Sequence, residues 1–238
     1  PVIYLEPIFE DFQKKDSMEA ALGTVISIYQ RDRLKEPVSM EWITHFDQAR
    51  KTIFYYLINH DANQELLARM PHFRYLDLAI VFGMRSGLEN VPGIIPVYNT
   101  HLDIWDTTAE ELLSIAEVNT PQLFPLQLSY MPDLVPGEPP TGNPSQMYVL
   151  SNSHHAYGAA AFRYRDALKG FSLLMGSDIL LLPDSIHQMV LVPLREGVDP
   201  ESYRDTVRST NDYFNNASKF LSNSIYLYKR DTGQVEII

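Results

Sequence analysis

The chain has 238 residues, 45% of them apolar, with 11 Phe and 14 Tyr, so it can bury a sizeable core and is not a disordered protein. Its 30 acidic residues against 19 basic residues give a formal net charge of -11, which disfavours binding to nucleic acid or to an anionic membrane. It has no cysteine, no run of about 20 apolar residues and no signal peptide, so we expect a cytoplasmic protein without disulfides or thiolate metal sites.

Residues 1–50 are expected to form a mainly helical segment ahead of the main domain. Asp16, followed by Glu19, resembles a capping box and predicts a helix over about 17–34. Ser39 predicts the start of a second helix. The first residues, 1–5, are typical of the middle of a strand, so we expect an upstream segment to precede Pro1.

Residues 51–238 are expected to form one domain. Three segments rich in Ile, Leu, Phe and Tyr predict strands at 51–59, 73–84 and 94–98. We interpret 73–84 as the longest strand, with Asp77 in its middle. A short helix is expected at 62–70, and Thr107 with Glu110 forms a capping box that predicts a longer one.

Seven prolines lie between Pro121 and Gln146. Proline lacks a backbone N–H and restricts its neighbours, so this density predicts a long loop without regular structure at about 121–146. Such a loop is either a passive connector or a lid over a groove.

The stretch 176–193 predicts the centre of the sheet. Its apolar runs at 179–182 and 189–192 are typical of strands covered on both faces, although a buried helix has the same pattern. Pro183 and Pro193 each end a run, so we predict a central hairpin. Around it the sequence predicts strands at 146–151 and 157–162, helices at 166–175 and after Pro200, and a closing hairpin around Asp231.

The order strand, strand, helix occurs at 73–119, 146–175 and 178–214. Short antiparallel pairs that alternate with helices indicate an α+β fold, with a largely antiparallel sheet and helices packed over it.

The turn of the central hairpin carries Asp184, Ser185 and His187. An imidazole that is oriented by an acid can deprotonate a hydroxyl, which is the chemistry of a hydrolase. Side chains two residues apart in a tight turn rarely point at one another, however, and no Gly-x-Ser-x-Gly motif is present. We therefore expect these residues mainly to stabilise the turn.

Two further places carry candidate binding residues. His154 and His155 are adjacent, so in an extended segment they point to opposite faces and do not by themselves form a metal site. Asp77 is unusual in an apolar strand, and if its face is covered it has to be paired or protonated. We predict no metal and no cofactor.

Three stretches resemble a known family: 73–81, 105–112, and above all Leu182-Pro183-Asp184-Ser185-Ile186-His187. The family is an uncharacterised bacterial domain of unknown function, found mainly in gut-dwelling anaerobic Firmicutes. The resemblance covers nearly the whole chain and implies an N-terminal segment before Pro1, but no activity, substrate or cofactor. Relatives tend to have a serine at position 184 and a glutamate at 188, where this chain has Asp184 and Gln188.

The leading hypothesis is a non-enzymatic cytoplasmic domain that binds a protein, a peptide or a small ligand. The alternative is a hydrolase or metal-dependent enzyme centred on His187, His154, His155 and Asp77. An enzyme requires these side chains to converge in one place, whereas a binding domain requires an exposed apolar surface.

Overall fold

The computed structural model describes residues 5–32, 41–86, 93–131, 146–214 and 218–238. Its contacts divide the chain after Glu41 into an N-terminal unit and a larger unit that begins at Trp42. Helices and antiparallel strands are both abundant, so the expected α+β fold is confirmed.

The N-terminal unit contains two helices, α1 (Glu6–Lys15) and α2 (Met18–Asp32). Helix α1 ends because Asp16 adopts a left-handed conformation with φ 46°, and its N–H donates to the Phe12 carbonyl. The prediction of a helix over 17–34 is confirmed by α2, whereas α1 was not predicted. The strand expected at the start of the chain falls on residues 1–4, outside the described residues, and Leu5 is not in a strand.

The larger unit begins with short helices and a four-stranded antiparallel sheet. Its elements are α3 (Glu41–Thr44), α4 (Phe46–Ala49), β1 (Ile53–Asn59), α5 (Gln64–Leu67), β2 (His72–Tyr75), β3 (Leu78–Arg85) and β4 (Ile94–Pro96). Strand β3 is central, with β1 along one side and β2 and β4 along the other.

The prediction of one long strand over 73–84 is wrong, because the chain reverses at Leu76 and Asp77. Leu76 adopts a left-handed conformation with φ 59°, and Tyr75 then pairs with Leu78 across a two-residue turn. Leu76 also packs against the core, so the apolar pattern continues through the turn without glycine or proline to mark it. Asp77 therefore lies in a turn and not in the middle of a strand.

Two helices follow, α6 (Asn99–Trp105) and α7 (Ala109–Leu123). The capping residue of α7 is Thr108, whose hydroxyl accepts from the Glu111 N–H, one residue later than predicted. Helix α7 covers the outer edge of β1. There Thr120 Oγ1 accepts the Tyr55 N–H at 3.0 Å, and Asn119 Nδ2 donates to the Ile53 carbonyl at 3.0 Å.

The second sheet has six antiparallel strands in the order β10-β9-β7-β8-β6-β5. They are β5 (Leu126–Tyr130), β6 (Tyr148–Asn152), β7 (Ile179–Ser185), β8 (Gln188–Pro193), β9 (Tyr226–Tyr228) and β10 (Val235–Ile237). Helices α8 (Ala167–Met175) and α9 (Pro200–Phe214) lie between its strands in sequence. The central hairpin, β7 with β8, is confirmed.

Two further predictions in this half are wrong. The proline-rich stretch is regular at its start, since Pro121 lies inside α7 and 126–130 form β5, while 132–145 lie outside the described residues. The segment predicted as a strand at 157–162 is a 3-10 helix, Gly158–Arg163. Its alanines, 159–161, are completely or almost completely buried, because small side chains let the helix pack closely in the core.

Three apolar clusters hold the larger unit together. The main cluster joins one face of each sheet through the 3-10 helix, with Leu57, Phe82, Ala160, Leu150 and Leu181 among its members. A second cluster covers the other face of the four-stranded sheet. A third covers the other face of the six-stranded sheet, where Tyr203 and Val207 of α9 pack on β7 and β8.

Candidate functional site

The tip of the central hairpin is held by the polar residues that the sequence singled out. The Asp184 carboxylate accepts from Gln188 Nε2 at 3.0 Å. The Ser185 hydroxyl oxygen accepts the backbone N–H of His187 at 3.2 Å. Both side chains therefore bind groups of the same turn, as we expected for a stabilised turn.

His187 connects this tip to the loop that follows β6. Its Nδ1 accepts the backbone N–H of Tyr157 at 3.1 Å, and its carbonyl oxygen accepts the Ser151 hydroxyl at 2.8 Å. Because Nδ1 is an acceptor, it carries no proton. Burial lowers the pKa of His187, the nearby Lys219 lowers it further, and Asp184 opposes both effects. The imidazole is thus a neutral structural acceptor.

The loop 153–157 is organised by Asn152, which the sequence analysis missed. Asn152 is only 1% exposed, and its Oδ1 accepts the backbone N–H of His154 at 3.0 Å. Its Nδ2 donates to the Ala156 carbonyl at 2.7 Å. An asparagine that ends a strand commonly closes such a turn with its side chain, so residue type and position together were an available signal.

The structure places His154 and His155 differently within this loop. Both are exposed, but only His155 of the two has a left-handed backbone, with φ 50°. The His154 ring packs edge-on against Phe124 with 5.3 Å between centroids, and burial, followed by Arg85, lowers its pKa.

A series of aromatic contacts runs between His154 and His187. After Phe124, the rings in contact are Phe54, Tyr56, Tyr157 and finally His187, with centroid separations between 4.6 and 5.9 Å. The two histidines lie at the two ends of this series, and no contact between their rings is seen among the described residues. Within the described ranges, no group of three His, Asp or Glu residues is arranged to hold a metal ion.

Asp77 belongs to a different polar network. Its carboxylate accepts from the Ser222 hydroxyl at 2.5 Å and from the Tyr226 hydroxyl at 2.7 Å. Burial raises the pKa of Tyr226, and the charge of Asp77 raises it further. This network joins the turn between β2 and β3 to the segment that leads into β9. A role for these six candidate residues in ligand binding stays a prediction.

An exposed apolar surface lies elsewhere, on the last strand of the six-stranded sheet. Leu126, Leu128 and Tyr130 of β5 are 44%, 39% and 37% exposed. They lie on the same face as their partners on β6, Asn152, Leu150 and Tyr148, and Leu150 belongs to the main core. We call β5 with these three side chains the open edge.

The backbone of the open edge points away from the sheet at these three residues. The hydrogen bonds between β5 and β6 include Ser153 N–H to Pro125 and Met131 N–H to Met147, which places odd-numbered residues of β5 in the bonded pairs. The N–H and C=O groups of Leu126, Leu128 and Tyr130 consequently face outward. Among the described residues, no strand lies along that side of β5.

Two other outer strands, β1 and β10, differ from β5. Side chains of α7 bind the outer backbone of β1, as described above. Strand β10 has three residues and carries Glu236, which forms an ion pair with Lys229 at 2.6 Å. Short length, charge and coverage all discourage pairing with another strand. Strand β5 has five residues and contains no Asp, Glu, Lys, Arg or His.

The larger unit is thus an antiparallel α+β domain in which the candidate residues of the hairpin tip stabilise a turn and the uncharged strand β5 exposes three apolar side chains. The chain belongs to the family described as "Family of unknown function (DUF5688)", which matches residues 1–230. No curated protein and no solved structure matches it. None of the helices in the described ranges has the length and apolar character needed to cross a membrane.

Proposed function

We propose that this chain is a non-enzymatic interaction domain that joins a protein partner by strand pairing at the open edge. The observation that carries the proposal is that β5 combines outward backbone groups with three exposed apolar side chains. In strand addition, backbone hydrogen bonds supply affinity and alternate side chains supply specificity.

The hydrogen bonds at the hairpin tip support a binding role over hydrolysis. A serine nucleophile donates its proton to an imidazole nitrogen. Here the Ser185 oxygen accepts a backbone N–H, and His187 Nδ1 accepts another. Both residues are occupied in fixing the position of the turn.

We place this interaction in the cytoplasm of a bacterium, following the resemblance to proteins of gut-dwelling anaerobes. The absence of cysteine supports this location, because a reducing compartment offers no stabilisation by disulfides.

The proposal is tested by selecting peptides of nine residues from a displayed library against the full chain. Peptides with alternating apolar and polar residues should bind the parent and lose at least tenfold in affinity for Leu128→Pro. Proline at 128 removes an outward N–H but no bond to β6, so the sheet is retained, which circular dichroism verifies.

Leu173→Lys is the matched control, because Leu173 is 62% exposed on α8 and also apolar. It should bind the selected peptides like the parent. Equal binding of those peptides to the parent and to Leu128→Pro would rule out the open edge as the binding surface.

A further inference from the structure

The open edge is complementary to itself under a two-fold rotation. Residues of a hydrogen-bonded antiparallel pair exchange both of their N–H···O=C bonds. If two copies of β5 pair about Leu128, this residue faces its own copy, and Leu126 faces the partner's Tyr130. The outward backbone groups of all three residues in each copy then find a donor or an acceptor.

The side chains also match in this register. The apolar row of each copy continues into the apolar row of the other, on the face that holds Leu150 and the main core. On the opposite face, Gln127 lies across from the partner's Ser129, and an amide N–H can donate to a hydroxyl. Apolar groups thus meet apolar groups, and polar groups meet polar groups.

Charge favours this place for contact between copies. Each chain carries a formal charge of -11, so two copies repel one another at long range. A contact between copies is least unfavourable where no acidic or basic side chain lies close to the same side chain of the other copy. Strand β5 has none, whereas pairing through β10 would bring Glu236 of one copy close to the same residue in the other.

We infer that the partner of the open edge is a second copy of this chain, paired antiparallel about Leu128. The two six-stranded sheets then form one continuous sheet of twelve strands. This inference rests on the proposed function, because it names the partner of the same edge.

The first test measures molar mass by light scattering over a range of protein concentrations. The parent should rise from 27.3 kDa toward twice that mass. Added salt should favour the dimer, because it screens repulsion between two acidic chains. Leu128→Pro should stay at 27.3 kDa, and Leu173→Lys should behave like the parent.

The second test reads the register with single cysteines, which are unique because the chain has none of its own. Two residues of a hydrogen-bonded antiparallel pair have Cα atoms about 5.5 Å apart, within reach of a disulfide. Leu128→Cys should therefore form a disulfide-linked dimer under mild oxidation.

Leu126→Cys is the matched control on the same strand and face. In the inferred register it lies four positions from its own copy, at about 14 Å, beyond the reach of a disulfide. It should cross-link at least tenfold more slowly than Leu128→Cys. Equal rates for the two variants would overturn the register.

The outcomes separate this inference from the proposed function. A parent that stays monomeric, with no cross-linking of Leu128→Cys, overturns pairing with a second copy. If the selected peptides still distinguish the parent from Leu128→Pro, the proposed function stands and the partner is another protein. If they do not, both proposals fail.

Discussion

Replacing Gly158 by alanine tests how the hairpin tip and the loop after β6 are joined. Gly158 begins the 3-10 helix, beside the hydrogen bond from the Ser151 hydroxyl to the His187 carbonyl. A Cβ at this position would lie closest to Ser151 Oγ, 2.5 Å from the His187 carbonyl oxygen and 2.8 Å from the Asn152 nitrogen. Two of these three neighbours are backbone atoms, which cannot move without shifting the hairpin or the loop.

The expected loss of stability follows from two effects. Overpacking a close-packed site costs about 1–3 kcal/mol. Loss of the bond between Ser151 and His187 adds about 1–2 kcal/mol, because it leaves partly buried polar groups unpaired. We expect Gly158→Ala to lower the free energy of unfolding by about 2–5 kcal/mol. In most helical positions the same change is favourable, by about 0.5–1 kcal/mol.

Urea unfolding, followed by the fluorescence of the two tryptophans, measures the effect. Gly170→Ala is the control, since Gly170 lies inside α8 and a Cβ there meets nothing within 4 Å. It should be stabilising by about 0.5–1 kcal/mol. Adding Ser151→Ala to Gly158→Ala removes the nearest contact and should restore part of the loss. A Gly158→Ala protein as stable as the Gly170→Ala protein would refute the close packing described above.

Three other changes test the polar and charged groups. The pKa of His187 in the folded chain is below the ordinary 6.5, so its contribution to stability is present above pH 6.5 and is lost as the pH falls through the lowered value. His187→Gln should therefore make the free energy of unfolding in urea depend less on pH. The effect should be partial, because His101 and His154 also have lowered pKa values. Asp77→Ala leaves the Ser222 and Tyr226 hydroxyls without their acceptor and should lower the free energy of unfolding by about 2–4 kcal/mol. Asp77→Asn keeps one acceptor oxygen and should cost less. Equal losses of stability for the two variants would argue against this network. Arg163 lies over the rings of Tyr55 and Tyr75, with its guanidinium carbon 5.6 and 4.6 Å from the ring centroids. Arg163→Lys should lower the free energy of unfolding by about 1–2 kcal/mol, because lysine lacks the planar group that stacks on the rings. An unchanged melting curve would contradict this stacking.

The parts of the fold that were predicted correctly carry their signals within a few neighbouring residues. The runs at 179–182 and 189–192 predict β7 and β8 because both faces of these strands are covered. Gly176 ends α8 in a left-handed conformation, with φ 71°, as expected of a C-terminal cap. In both cases the local pattern and the tertiary packing favour the same structure.

The wrong predictions arose where packing overrides local preference. Leu76 is apolar and has no tendency to adopt a left-handed conformation, yet its side chain packs on the core and the bonds of Asp77 hold the turn. Ser222 and Tyr226 supply those bonds from the other end of the chain. A single sequence contains no signal for such distant partners.

The role of His187 was only partly predictable for the same reason. Its neighbours Asp184 and Ser185 indicated a turn, which the structure contains. The Tyr157 N–H that its ring accepts comes from a position 30 residues earlier, in a segment predicted as a strand. Strand β5 was missed because the surrounding prolines obscured its alternation of apolar and polar residues, Leu126 to Tyr130.

The difference in protection among the outer strands supports a binding role for the open edge. An uncovered strand promotes aggregation, and proteins normally protect such strands with charge, short length or a covering element. This chain protects β1 with Thr120 and Asn119, and β10 with Glu236 and Lys229. The same chain leaves β5 uncharged, with Leu126, Leu128 and Tyr130 exposed. Because β1 and β10 are protected in this way, the absence of such protection from β5 among the described residues fits a strand that pairs with a partner.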